Sequence, residues 1–113
     1  MSAGKYNIVA EQGTTFTRTL NVSSAGVAWD LTSYSARMQV RVNAAASSTV
    51  LSLVSPTNIS LSSLGVITIT ISASAMAAVT AGKYVYDLEL VSAGGVVTRL
   101  LEGKFVVKAE VTR

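Results

Sequence analysis

Apolar and polar residues alternate along most of this chain. From Tyr34 to Val42, the residues Tyr34, Ala36, Met38, Val40 and Val42 fall on one side and Ser35, Arg37, Gln39 and Arg41 on the other. That period of two is the signature of a half-buried β-strand. Val66–Ile71 repeats it, with Ile67, Ile69 and Ile71 inward and Thr68 and Thr70 outward. So does Lys83–Val91, with Tyr84, Tyr86, Leu88 and Leu90 on the core side and Val85, Asp87, Glu89 and Val91 opposite. A fourth long segment, Val96–Val107, changes phase: Leu100 and Leu101 are adjacent, and regular alternation resumes only with Phe105 and Val107. A glycine inside a strand at a phase change predicts a β-bulge, here at Gly103. Shorter strand signals cover Tyr6–Ala10, Thr14–Val22, Thr49–Val54 and Ile59–Leu61.

Between these runs lie turn residues. Gln12-Gly13 separates the first two strands, Ser23-Ser24-Ala25-Gly26 closes the second, and Ser92-Ala93-Gly94-Gly95 makes a four-residue hairpin loop. Pro56 lies in Ser55-Pro56-Thr57-Asn58, where its missing N–H does no harm. One short helix is expected over Ala73–Val79, capped by Ser72 or Ser74 and followed by Gly82. About seven short strands joined by such turns predict an all-β antiparallel sandwich with one connector helix.

Composition narrows the chemistry. The chain has 113 residues, no cysteine and no histidine. It is read as a single domain over 1–113, with 1–5 as an N-terminal arm and 109–113 as a C-terminal extension. Without thiols or imidazoles, thiolate nucleophiles, histidine triads and Cys/His zinc sites are out, and no cofactor or metal site is expected. Net charge is +3, but Lys5, Arg18, Arg99, Lys104 and Lys108 are scattered rather than clustered, which argues against nucleic acid. No run approaches the roughly 18 apolar residues that span a bilayer, and Met1–Asn7 has no apolar signal-like core, so no membrane association or secretory leader is expected. Charged residues make up 13% of the chain, about half the usual share. A surface built instead of Ser, Thr and Ala suits burial against neighbours, with Val85, Val91, Val106 and Trp29 as candidate interface residues.

Six carboxylates offer the remaining chemistry. Asp87 and Glu89 share a strand face about 7 Å apart, a spacing that a glycosidase or a cation site could use. Both project from the polar side of a sheet, opposite Arg37 and Arg41, and cross-strand ion pairing among these four is favoured over catalysis. Trp29 could be a sugar-stacking platform, which leaves glycan binding as a minor alternative to packing over one end of the core.

In Ala77–Tyr86 a helical turn and Gly82 directly precede a Tyr-x-Tyr strand. Immunoglobulin-like sandwiches have a tyrosine at this corner whose hydroxyl bonds back to the preceding turn, and Tyr84 is the candidate. Trp29-Asp30-Leu31-Thr32-Ser33-Tyr34, Arg37–Arg41, Ala81–Leu90 and Val97–Val107 together resemble the immunoglobulin-like N-terminal domain of tailed-phage baseplate upper proteins and related short virion proteins. The likeness spans about residues 28–113. It implies an immunoglobulin-like fold and a non-enzymatic structural role in a virion assembled in the host cytoplasm, with homo-oligomeric copies and other virion proteins as partners. No receptor-binding or coiled-coil region follows in this chain, so the module would stand alone on a tail, baseplate or adaptor. A capsid decoration (cement) protein is the alternative within that class, and a small carbohydrate-binding module the alternative outside it.

Overall fold

Burial alternates with hydrophobicity along the long strands of the computed structural model, which describes residues 4–24 and 26–111. In chain order the elements are β1 (Gly4–Lys5), β2 (Ile8–Glu11), β3 (Phe16–Asn21), β4 (Ser23–Ser24), β5 (Val27–Ala28) and β6 (Ser35–Arg41). There follow β7 (Leu51–Val54), β8 (Ile59–Leu61), β9 (Val66–Ile71), α1 (Ala73–Ala77), β10 (Gly82–Val91) and β11 (Val97–Lys108).

The strands form two facing sheets and a small β4–β5 hairpin. The larger sheet runs β7–β6–β10–β11, with β1 and β2 both on the far side of β11; the smaller runs β3–β9–β8. β10 runs antiparallel to both β6 and β11, while β1 and β2 pair parallel to β11. β3, β9 and β8 correspond to strands B, E and D of an immunoglobulin domain, β6, β10 and β11 to C, F and G, and β7 to C′. The protein is an all-β immunoglobulin-like sandwich, recognised by its strand order.

Met38, Val40, Leu88, Leu90, Phe105 and Ile8 from the larger sheet meet Phe16, Ile59, Ile67, Ile69 and Ile71 from the smaller, and no charged or polar residue is buried among the described residues. Phe105 sits at the centre, edge-on to Phe16 at 6.0 Å and to Tyr86 at 6.4 Å. Each fully buried Leu, Ile or Phe contributes roughly 1.5–3 kcal/mol of transfer free energy. The helix is shorter than its sequence signal: it stops at Ala77, and Ser72 caps it, its hydroxyl accepting from the Ala75 N–H at 3.2 Å.

Two sequence expectations need correction. The β-bulge is not at Gly103. Leu88 pairs with Leu101 and Glu89 with Arg99, so Leu100 is the extra residue, while Gly103 stays in register opposite Tyr86. The adjacent leucines absorb the phase change themselves, both half-buried. Gly103 is needed for another reason: a Cβ there would lie 2.3 Å from the Tyr6 carbonyl oxygen. The second correction concerns the N-terminal arm. Residues 1–3 lie outside the described residues, but Gly4 and Lys5 are not free, since they pair with Leu101 and Glu102. The strand expected over Tyr6–Ala10 is broken at Tyr6-Asn7, where the Asn7 side chain takes over a ladder position by accepting the Lys104 N–H at 3.0 Å. Of the proposed extension 109–113, the Glu110 N–H donates to Gln12 Oε1 at 3.3 Å and Val111 is exposed; residues 112–113 lie outside the described residues.

Candidate functional site

The outer faces of the two sheets differ in kind. Because β6, β10 and β11 are in register, their outward residues form cross-strand rows on the larger sheet: Arg37–Glu89–Arg99, Gln39–Asp87–Glu102 and Arg41–Val85–Lys104. With Lys5 and Glu11 from β1 and β2, and Lys83 and Lys108 at the strand ends, this face holds eleven of the fifteen charged residues. The outward positions of the smaller sheet are Thr17, Thr19, Asn21, Ser60, Val66, Thr68 and Thr70. None of them is charged. Thr19, Thr68 and Ser60 form one row of hydroxyls across its three strands.

On the charged face Arg37 Nε meets Glu89 Oε1 at 2.7 Å, as cross-strand pairing requires. Arg41, in contrast, does not pair with Asp87. Its guanidinium donates to the Ala46 carbonyl at 2.8 Å and to Gln39 Oε1 at 2.9 Å, because the loop after β6 folds back within its reach. Asp87 is met by Arg99 instead, at 3.4 Å. It also lies directly opposite Glu102. Desolvation, then the neighbouring Glu89 charge, pushes the Asp87 carboxyl above its ordinary range, with Arg99 opposing. Glu102 moves the other way, held down by the hydrogen bond and charge of Lys5 at 2.6 Å. A cavity of about 420 Å³ opens over Val85, walled by Arg41, Arg99, Lys104 and Asp87. Among the described residues no three carboxylates gather as a metal-binding cluster; Asp87 and Glu89 line a common cleft of about 270 Å³ with Arg37 and Gln39, but each carboxylate there is met by an arginine.

The interface candidates are less open than the alternation implied. Val85, Val91 and Val106 are half-buried, each flanked by residues of the neighbouring strands. Exposed apolar side chains sit mainly at loops and strand ends, among them Val27 at 69%, Val42 at 60%, Leu64 at 72% and Val96 at 65%, while Val9 at 50% is exposed inside β2 beside Val106. Trp29 is half-buried as well, packed against the core and edge-on to Tyr34 at 5.6 Å. It is no free stacking platform. Next to it, Asp30 Oδ1 accepts from the backbone N–H and the hydroxyl of Thr32, which pulls its pKa down and fixes the turn into β6.

At the corner before β10 the Tyr84 hydroxyl donates to the Thr80 carbonyl. A Cβ on Gly82 would sit 3.8 Å from that hydroxyl, an ordinary contact. A second tyrosine junction lies at the seam between β1–β2 and β3. The Arg18 guanidinium donates to the Tyr6 hydroxyl and lies 5.3 Å from the Phe16 ring centroid, and the Tyr86 hydroxyl donates to the Tyr6 carbonyl. Burial, then the proximity of Tyr6, pushes the Tyr86 hydroxyl up to about 12. The sequence signal for this junction was the phase of Arg18, which shares the inward side of β3 with Phe16 and Leu20.

No family model and no curated protein sequence matches the chain. Among solved structures it is similar to the extracellular domain of the voltage-gated sodium channel β4 subunit, described as parallel homodimers with a role in cell–cell adhesion. The identity is 14% over 98% of both chains, with a TM-score of 0.43. Extracellular domains 3–5 of Drosophila OTK match at 16% identity over 95% of this chain and 33% of that one, TM-score 0.33. The V domain of amphioxus IgVJ-C2 matches at 14% over 88% and 98%, TM-score 0.27.

Proposed function

We propose that this protein is a bacteriophage virion structural protein, a module present in several copies on a tail, baseplate or adaptor, acting by docking rather than catalysis. The observation that carries this reading is the division of charge between the two sheets. Charged groups keep a face hydrated and raise the cost of covering it, because ions removed from water are expensive to desolvate. The smaller sheet has no such groups outward, so another protein surface can cover it without stranding a charge. The segments Trp29–Tyr34, Ala81–Leu90 and Val97–Val107 supply the phage assignment through their likeness to baseplate modules. A decoration protein on the capsid would use the same surface logic and is the alternative within this reading. The glycan-binding alternative is weakened, because its one candidate platform, Trp29, is packed against Tyr34. The test is mass spectrometry of purified virions followed by cryo-EM localisation of the chain. Several copies per particle are expected, with the smaller sheet covered by a neighbour. Absence from purified particles overturns the reading.

A further inference from the structure

A sheet edge presents a row of backbone N–H and C=O groups that will pair with another strand unless they are guarded by charge, proline, a bulge or brevity. Among the described residues, three of the four sheet edges are guarded. β7 has four residues and runs into Pro56, β8 has three, and the β1–β2 edge is broken at Asn7 and ends on Glu11. β3 is six residues long, regular, and free of proline and outward charge.

The groups on β3 that have no backbone partner among the described residues can be identified. Thr70 N–H bonds to the Asn58 carbonyl and Ser62 N–H to the Val66 carbonyl, so Val66, Thr68 and Thr70 of β9 turn their backbones to β8. By antiparallel alternation Ile67, Ile69 and Ile71 bond to Leu20, Arg18 and Phe16, and the Val22 N–H bond to the Gly65 carbonyl continues that phase. The backbones of Thr17, Thr19 and Asn21 therefore point away from the sheet. Arg18, whose charge could guard the edge, is held inward by Tyr6 and Phe16.

The geometry points to this edge as a pairing site for a second copy of the same chain, β3 against β3 antiparallel about a two-fold axis at Thr19. The inference rests on the multi-copy reading above and names its contact. Centring the axis on Arg18 would set two guanidinium groups opposite each other. Centring it on Thr19 uses all three outward residues, placing Thr19 against Thr19 and Thr17 against Asn21, pairs that bond well across strands. It also joins two uncharged faces into one six-stranded sheet, so two molecules of net charge +3 approach where neither carries outward charge.

Sedimentation analysis of the intact protein at rising concentration tests this. Wild type is expected to dimerise. Thr19→Pro removes an N–H the monomer does not use, so it should fold as wild type by circular dichroism yet associate about tenfold or more weakly. Thr19→Lys and Thr19→Glu, a pair that does not depend on proline being accommodated, should each be monomeric alone and form a heterodimer when mixed. Thr68→Ala, on the same face but inside the sheet, should dimerise normally. If wild type associates and the position-19 variants associate equally well, the edge is not the contact, although the multi-copy reading stands. A wild type that stays monomeric at millimolar concentration overturns the β3 contact, while the multi-copy reading stands or falls on the copies found in purified virions.

Discussion

Gly103 shows how a single residue can be read correctly as unusual and wrongly as to cause. A glycine in a long strand at a phase change suggests a bulge, yet the extra residue is Leu100. What Gly103 provides is room for the N-terminal segment, whose Tyr6 carbonyl would stand 2.3 Å from any Cβ. That oxygen also accepts the Tyr86 hydroxyl, so it cannot retreat without breaking a part-buried bond at the seam between β1–β2 and β3. Gly103→Ala is expected to destabilise by about 1–3 kcal/mol, the usual cost of forcing atoms into a packed site. Gly94→Ala, in the β10–β11 loop where the nearest atom is 4.0 Å away, should stay within about 0.5 kcal/mol of wild type. Urea denaturation of the two variants side by side decides it, and equal effects would remove the close-approach explanation. The reason for this glycine was invisible in the sequence because its neighbour in space, Tyr6, is 97 positions away.

The strands themselves were legible because alternation is a local property. β6, β9 and β10 run within one residue of Tyr34–Val42, Val66–Ile71 and Lys83–Val91. Pairing between particular side chains was only half legible. Register makes Arg37 opposite Glu89, but Arg41 is captured by the Ala46 carbonyl, and no periodicity describes the loop that brings it there. The row Arg37–Glu89–Arg99 also changes what charge reversal should do. Combining Arg37→Glu with Glu89→Arg restores the first contact but sets the new arginine beside Arg99, so the coupling measured in a double-mutant cycle should be favourable and small, about 0.2–1 kcal/mol, without full recovery. A zero coupling energy would mean the 2.7 Å pair contributes nothing.

Asp87 supplies the pH dependence at this scale. A carboxyl whose folded pKa is raised favours the fold when protonated, so its penalty is present above that pKa and relieved as pH falls through it. Glu102, with a lowered pKa, contributes stability above its unfolded value near 4.5 that is lost on acidification. The two therefore oppose each other in acid. Asp87→Asn should raise stability at pH 7 by about a few tenths of a kcal/mol, discounted for exposure and for the loose 3.4 Å contact with Arg99. The gain should vanish below the carboxylate range. Lower stability of the variant at neutral pH would show that Arg99 outweighs the repulsion from Glu89 and Glu102.

For the molecule as a whole, the low proportion of charge turns out to be a matter of placement. Composition alone suggested a surface depleted everywhere, with outward valines waiting to be covered. Instead the larger sheet is densely charged and leaves Val85, Val91 and Val106 only half-exposed, while the smaller sheet carries none of the charge among its outward positions. That arrangement predicts how association responds to salt. Contacts through the charged face would depend on Coulomb attraction between mixed-sign rows and would weaken as the Debye length falls from about 10 Å at 0.1 M to about 3 Å at 1 M. Contacts through the uncharged sheet and its β3 edge depend on backbone bonds and buried area, and the one long-range charge effect is repulsion between copies of net charge +3. Screening that repulsion should leave self-association unchanged or slightly stronger as sodium chloride rises from 0.1 to 1 M. Sedimentation equilibrium across that range checks it. An association constant that falls steeply with salt would place the contact on the larger sheet, among Arg37, Asp87, Glu89 and Arg99, and would reverse the roles assigned to the two faces.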